Sequence, residues 1–360
     1  MALKHLIACI VMIVAAIGST LEIYREYVQD RHEYVTTDTL LEIGADVLIE
    51  TDEFLYARDG KVICLTWDGT IVWESPFVSG NDMAFCGDGF FIEIYRRFPE
   101  RWSVAFVTLE GEILWEKETG NIHSTALDAS RTLLAAGTKK GVLWALSRDG
   151  AVLWTYENGE EIDEVAVAPD SSCVVFTDYT NYIKCVRNGE LIWAKRRGEI
   201  LKITNRIVTF SPDNSYIAYG SHKEYPRITV VTLDGENLWS YPLEDVLQSV
   251  VVTQDGQYIV AGCHGYVYKF SRTGALVWKS EVGADNERLS VTPGGEYIVV
   301  GSNDPYRLFV LNGEGAVLWK AKSRNLICAV GISPRGEYVV FSNLDTELLI
   351  FLNPPESSGF

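Results

Sequence analysis

The chain has 360 residues, an apolar fraction of 47%, 30 glycines and a net charge of −18 from 49 acidic against 31 basic residues. That acidic balance excludes a general nucleic-acid binder and favours solubility, while the apolar residues and glycines suit a large buried body joined by tight turns. A length of this order ordinarily divides into two or more domains, but internal repetition overrides that expectation.

The N-terminus comes first. Lys4 and His5 precede an uncharged apolar run over residues 6–18 (LIACIVMIVAAIG), and a highly charged amphipathic run over residues 21–32 follows Ser19 and Thr20. A membrane span takes about 20 apolar residues, so this run is short for one and suits the h-region of a secretory signal. Ala16 and Gly18 make a small-x-small cleavage site before Ser19. An uncleaved signal-anchor is the second reading, with the apolar stretch extended through residues 21–23 by a snorkelling Glu22. The apolar first helix of a cytosolic protein is the third. Cys9 follows Leu6, Ile7 and Ala8 in superficial likeness to a lipobox, but the apolar run comes after that cysteine instead of before it. In either export reading the positive end stays inside and the rest of the chain faces outward. Residues 1–20 are thus read as signal peptide or signal-anchor and 21–32 as an amphipathic helical linker.

From residue 33 onward one phrase keeps returning. WDGTIVW at 67–73, LEGEILW, SRDGAVLW, VRNGELIW, TLDGENLW, SRTGALVW and NGEGAVLW at 312–319 end on Trp73, Trp115, Trp154, Trp193, Trp239, Trp278 and Trp319, every 39 to 46 residues. A Gly four residues ahead of each Trp opens a strand after a tight turn, where it supplies positive φ at no steric cost. Upstream lies a second phrase, as in VAVAPDSSCVVFTD (165–178) and VTFSPDNSYIAYGS (208–221), made of two β-rich runs around a Pro/Asp/Gly/Asn turn. One unit therefore runs through strand A, a turn, strand B, a loop, strand C, the Gly turn and the Trp-bearing strand D. Four antiparallel strands of this kind make a propeller blade, and helical repeats of the same length would show a 3.6-residue period instead.

After Trp319 the chain still holds A, B and C runs at 327–333, 337–342 and 347–352, but no D run. The β-branched segment 33–37 would supply that outer strand and close the ring by pairing the two chain ends. The expected fold is all-β: an eight-bladed β-propeller of four-stranded antiparallel blades over residues 33–353, with a short N-terminal apolar helix and a tail at 354–360. Seven blades is the alternative, because the first repeat is the least regular.

The Gly-x-x-x-Trp ending of every blade resembles the tryptophan-docking motif of pyrroloquinoline-quinone-type propellers, and the SPDG-like turn followed by YIVxGS is similar to that of WD-repeat propellers. The resemblance covers about nine tenths of the chain and implies the fold. It leaves function to loops, since such propellers include dehydrogenases, assembly scaffolds and surface-binding proteins. The architecture is similar to that of the lipoprotein subunit of outer-membrane assembly machinery, although a convincing lipobox is missing. The seven indoles are read as structural, each packing between neighbouring blades.

B–C and D–A loops share one face of a propeller. On that face the D–A connections hold an acidic cluster (Glu157, Glu160, Glu161, Asp163) and a basic one (Lys195, Arg196, Arg197, Lys202). Two long B–C loops, 95–102 (YRRFPERW) and 220–227 (GSHKEYPR), and the shorter NDPYR at 303–307 combine aromatics, Pro and basic residues. Binding hot spots are built from aromatics and Arg, and Pro lowers the entropy of ordering a loop. Arg96, Arg97, Phe98, Trp102, His222, Tyr225, Tyr306 and Arg307 are therefore the candidate partner-binding residues, for a protein or an acidic extended ligand, with solvated loop charge and loop packing as the plain alternative.

Seven cysteines leave six outside the leader, with no Cys-x-x-Cys pair. A three-residue B–C loop in the fourth blade would set Cys173 opposite Cys185, a cross-strand disulfide if the protein is exported, or else two buried thiols. No Gly-x-Ser-x-Gly, His-Glu-x-x-His or phosphate-binding Gly-x-x-x-x-Gly-Lys occurs, and His5, His32, His123, His222 and His264 are scattered. The adjacent cysteines, calcium-binding carboxylates and capping loops that a likeness to quinone-dependent dehydrogenases would require cannot be placed. No Asn-x-Ser/Thr sequon occurs either, so asparagine-linked glycosylation is not expected. The expectation is a non-catalytic, cofactor-free propeller, extracytoplasmic and secreted or tethered through its N-terminus, that binds protein as a scaffold. A quinoprotein oxidoreductase and a cytosolic WD-repeat-like hub are the alternatives.

Overall fold

The turns are set by short side chains. At the C–D turns Ser147 Oγ accepts the Ala151 amide at 3.1 Å, Thr232 Oγ1 the Glu236 amide at 3.1 Å, and Asn312 Oδ1 the Ala316 amide at 2.8 Å. The glycine between them takes positive φ, 84° at Gly150 and 86° at Gly315, and the strand register shifts a few residues on, at Leu153 and Leu318 just before the Trp. This is a hairpin ending in a glycine bulge, which strengthens the local twist. The A–B turns use the same device over a longer span: Ser211, Thr253 and Thr292 hydroxyls each accept the amide five residues on at 3.0 Å.

The computed structural model describes residues 53–58, 61–66, 71–74, 78–85, 89–97, 100–108, 110–197, 207–221, 226–282, 285–304, 306–332, 335–336, 338–343 and 348–352. Among them thirty strands form eight antiparallel sheets and no helix occurs. The first sheet holds β1 (Glu53–Arg58), β2 (Lys61–Thr66) and β3 (Ile71–Glu74). The second holds β4 (Val78–Phe85), β5 (Gly89–Arg97), β6 (Glu100–Thr108) and β7 (Ile113–Glu118), and the third β8 (Ile122–Leu127), β9 (Leu133–Thr138), β10 (Val142–Ser147) and β11 (Val152–Glu157). The fourth is β12 (Ile162–Val167), β13 (Val174–Asp178), β14 (Tyr182–Arg187) and β15 (Glu190–Arg196), and the fifth β16 (Val208–Phe210), β17 (Ile217–Ser221), β18 (Arg227–Val231) and β19 (Asn237–Pro242). The sixth is β20 (Leu247–Val252), β21 (Tyr258–Cys263), β22 (Tyr266–Ser271) and β23 (Leu276–Glu281), and the seventh β24 (Asn286–Val291), β25 (Tyr297–Asn303), β26 (Tyr306–Asn312) and β27 (Val317–Lys322). The eighth has β28 (Ile327–Ile332), β29 (Tyr338–Asn343) and β30 (Leu348–Leu352).

The first strands of successive sheets pack on one another, β4 on β8, β8 on β12, and so on through β24 on β28, so the sheets are arranged around an axis as propeller blades. The eighth sheet has the A, B and C strands read from the sequence. The segment 33–37 expected to close it, the N-terminal apolar segment and the 354–360 tail all lie outside the described residues.

Apolar burial runs between sheets. Each core cluster joins two neighbours and takes in the Trp of the first: Trp115 between the second and third, Trp154 between the third and fourth, Trp193, Trp239, Trp278 and Trp319 onward around the ring. The indoles lie on the next sheet's C–D turn. The Nε1 groups of Trp115, Trp193, Trp239 and Trp278 donate to Arg148, Leu233, Arg272 and Gly313 carbonyls at 2.7–2.9 Å. This explains the Gly-x-x-x-Trp spacing twice over. A Cβ on Gly274, where φ is +89°, would stand 2.7 Å from the Trp239 ring, so the glycine admits both the turn and the preceding sheet's indole. Trp73 lies on β3 at the matching position.

Two sequence expectations are corrected. Residues 95–97 and 100–102 are strand, not loop: β5 and β6 pair through Arg97↔Glu100, leaving only residues 98–99 between them. Their aromatic and β-branched residues favour a pleated pair, and Tyr95 and Trp102 face each other across it. In the fourth sheet Thr177 pairs with Ile183, not Asn181, which places Val175 opposite Cys185 and Cys173 diagonal to it. The turn is longer because Asp178 Oδ1 gathers the amides of Thr180 and Tyr182, both at 3.0 Å. Cys173 and Cys185 are free buried thiols in the core shared with the fifth sheet.

Candidate docking face and inner polar cluster

Because strands alternate in direction, the B–C turns and D–A connections emerge on one face and the A–B and C–D turns on the other. The β5–β6 hairpin reaches furthest in sequence, with nine residues in each strand where the other sheets use three to seven in theirs. The Trp102 ring packs on Tyr95 with centroids 4.4 Å apart, and its carbonyl accepts the Thr119 and Gly120 amides at 3.2 Å, which ties the hairpin to the D–A connection. Arg96 forks onto Glu116, Nε to Oε1 at 3.1 Å and Nη2 to Oε2 at 2.6 Å. That fork, assisted by Ser103, holds the Glu116 carboxyl below its ordinary range against the opposing effect of burial. The Arg96 charge is thus paired within the sheet, on a side chain that stays exposed.

On the seventh sheet Tyr306 is exposed and Arg307 half-buried, at the start of β26. The backbone of Arg97 lies at the tip of β5, while Phe98, His222 and Tyr225 lie outside the described residues. The candidates that can be placed therefore share a face but fall into two groups, on the second and seventh sheets, and do not form one patch.

A second constellation brings Glu161, Asp163 and Arg197 of the charged D–A connections together with His123 and Tyr179, which sequence did not connect with them. The A strands of the third, fourth, sixth, seventh and eighth sheets carry a bulge at their second residue, which is His123 in the third sheet, Asp163 in the fourth and Gln248 in the sixth. A two-residue period hides such a bulge, because the extra residue shifts the alternation by one. His123 Nδ1 stands 3.3 Å from Glu161 Oε1, and its ring stacks on Tyr179 with centroids 5.9 Å apart. Burial pushes the Asp163 carboxyl up, with His123 and Arg197 opposing the shift. Arg197, expected on a solvated basic loop, instead turns inward: it is 4% exposed, and its Nε and Nη1 make no hydrogen bond. Burial pushes its guanidinium down, and Asp163, Glu164 and Asp178 pull it back. Asp178 is itself paired to Lys184 at 2.8 Å, and Glu164 accepts the Ile207 amide at 2.7 Å. On the sixth sheet Asp285 Oδ1 binds His264 Nδ1 at 2.8 Å and Gln248 Nε2 at 3.1 Å. Among the described residues no group of three or more side chains is placed to hold a metal ion.

The family model of the outer membrane protein assembly factor BamB matches residues 58–196 and 225–351. Among solved structures, the C-terminal WD40 domain of Sif2 is 14% identical, covering 91% of this chain and 99% of its own, with a TM-score of 0.71. BamB from Moraxella catarrhalis is 15% identical over 76% of this chain and 96% of its own, with a TM-score of 0.53. The Cps50 (Swd1) β-propeller domain of Myceliophteria thermophila is 11% identical over 76% and 95%, with a TM-score of 0.57. At these identities the structures attest the propeller fold alone. No curated protein sequence matches the chain.

Proposed function

Since the chain belongs to the family of the outer membrane protein assembly factor BamB, we propose that it is a non-catalytic, extracytoplasmic scaffold that docks a protein partner on the face of its B–C turns and D–A connections. The observation that carries this reading is the β5–β6 hairpin. Its tip extends beyond the flanking strands β4 and β7, and the Tyr95–Trp102 pair and the Arg96–Glu116 fork brace it at the edge of the face. Rigid aromatic anchors bind with little loss of side-chain entropy. With Arg96 paired internally, Arg101 on the hairpin and Arg307 on the seventh sheet are the charges that would steer a partner's approach. Export and tethering rest on the N-terminal apolar segment and on membership of an outer-membrane assembly-factor family.

Photo-cross-linking residues placed at Arg101 and Tyr306, and on the opposite face at Asp149 and Asp234, test this in the native host. Discrete protein adducts from the first pair and none from the second support the docking face. Adducts from the second pair alone would move the site to the C–D turns, and none from any of the four would remove the scaffold reading.

A further inference from the structure

We infer that Asn188 is a self-modifying position: its side-chain amide is lost through attack by the Gly189 backbone nitrogen, so that the fourth sheet's C–D turn passes from neutral to anionic as the protein ages. The inference goes beyond partner docking and does not depend on it, because this turn lies on the opposite face.

Chemistry selects the dipeptide, and the fold selects among its copies. The nitrogen after an asparagine closes a ring on the side-chain carbonyl most readily where it belongs to glycine, which has no Cβ to block the approach. Three Asn-Gly pairs occur, at 158–159, 188–189 and 312–313, and Glu follows each of them. Their surroundings differ. Asn158 is held at both ends of its amide: Nδ2 donates to the Glu160 carbonyl at 2.8 Å and to Asp178 Oδ2 at 3.3 Å, while Oδ1 accepts from Lys184 Nζ at 2.6 Å. Asn312 Oδ1 accepts the Ala316 amide at 2.8 Å, and the Gly313 carbonyl receives Trp278 Nε1 at 2.7 Å and Lys269 Nζ at 3.3 Å. Asn188 alone of the three is exposed. Among the described residues no hydrogen bond engages its side chain or the Gly189 amide.

The turn itself is lightly tied. β14 and β15 pair through Arg187↔Glu190, so Asn188 and Gly189 are the whole turn, with φ of 51° and 81°. Ring closure requires the asparagine backbone to leave that left-handed conformation, so the tip has to open locally. At other sheets the preceding indole pins the C–D turn through Nε1, at the Arg148, Leu233, Arg272 and Gly313 carbonyls. Trp154 packs close to Gly189, where a Cβ would stand 3.4 Å from its own, but among the described residues no hydrogen bond joins its Nε1 to the turn. Opening the tip therefore breaks no side-chain hydrogen bond.

Water is the only co-reactant. The bond from Gly189 N to Asn188 Cγ forms, the Cγ–Nδ2 bond breaks, and Nδ2 leaves as ammonia with the proton from the Gly189 amide. Water then opens the cyclic imide. Opening at the side-chain carbonyl leaves an aspartyl residue, and opening at the main-chain carbonyl leaves an isoaspartyl one, whose backbone runs through Cγ. Either product adds a carboxylate next to Arg187, which already faces Asp234 at 3.9 Å on the fifth sheet's C–D turn. The isoaspartyl form also lengthens a turn that two residues fill, at the place where Trp154 packs.

Peptide mapping by mass spectrometry, after incubation of the full chain at neutral pH in heavy-oxygen water, reads the loss at each Asn-Gly pair. In the folded protein, loss at Asn188 is expected to run ~5-fold or more ahead of Asn158 and Asn312, the factor that one net hydrogen bond supplies. The product should carry one heavy oxygen, and Asn188→Gln should leave this turn unchanged over the same period. In guanidinium chloride the three rates should draw together, since glycine and then glutamate follow each asparagine. Equal rates in the folded chain would overturn the inference. So would a lead at Asn188 that persists undiminished in the unfolded chain, because the fold would then not be selecting the site.

Discussion

Trp239 and Gly274 show how single residues hold one sheet to the next. The indole is half-buried, so Trp239→Ala is expected to lower stability by ~3 kcal/mol, toward the lower end for a large aromatic, in urea unfolding followed by circular dichroism. Gly274→Ala meets a Cβ clash and a positive φ together and is expected to cost ~2–3 kcal/mol. If the glycine served its own turn alone, pairing it with Trp239→Ala would leave that cost unchanged; a shared contact makes the double change less than additive. Asp213 supplies a pH test. The Ser215 hydroxyl first, then Ser211, the Ser215 amide and Arg272, hold its carboxyl down at about 2 against the opposing effect of burial. Its folded value lies below the unfolded ~3.9, so its contribution is present above about pH 4 and lost as pH falls toward 2. Asp213→Asn should flatten the acid limb of the stability curve in that window, modestly because the group is largely exposed. Burial pushes the Cys263 thiol up to about 12, and it should resist iodoacetamide in the native protein and react on unfolding. The Trp–Gly contact was legible because its spacing repeats within the chain. The Arg96–Glu116 fork and the inward turn of Arg197 were not, since charge and position in sequence do not say whether a side chain meets another strand or water.

At the scale of the element, the outer strands carry a pattern that sequence misreads. The two residues before each Trp look like core, yet Leu114 is 61% and Leu238 53% exposed. The D strand is the outermost of its sheet, so its Trp reaches the neighbouring sheet's turn while Leu114 and Leu238 face solvent; Leu318, by contrast, packs against the core between the seventh and eighth sheets. Leu238→Ser should therefore change stability by no more than ~0.5 kcal/mol, whereas Val230→Ser, buried on the strand beside it, should cost several times as much. These edges are protected from pairing with other chains by charges after the Trp, as in Glu116 to Glu118 of β7 and Lys320 and Lys322 of β27, and in β19, which has none, by Pro242 at its end. Strand order and turn placement were readable from the Gly and Pro/Asp punctuation. The A-strand bulges and the extension of β5 and β6 through residues 95–102 were not, because Pro and Arg there read equally as loop.

The whole molecule follows from repetition: from the second sheet to the eighth, each described apolar core lies between two neighbouring sheets, so they make one body without a central core. The eighth sheet has three strands among the described residues, leaving β30 as the strand a closing segment would cover. Deleting residues 1–40 should then cause aggregation at that edge, and deleting residues 1–28 should not; equal thermal stability of the two truncations would contradict closure by 33–37. Partner docking is the central claim, and it turns on the hairpin. Once the protein cross-linked through residue 101 is purified, its dissociation from wild-type and Trp102→Ala chains can be followed by surface plasmon resonance. The account predicts dissociation faster by ~10-fold or more with an unchanged fold, as for loss of an aromatic hot spot. Equal dissociation rates for the two chains would contradict it.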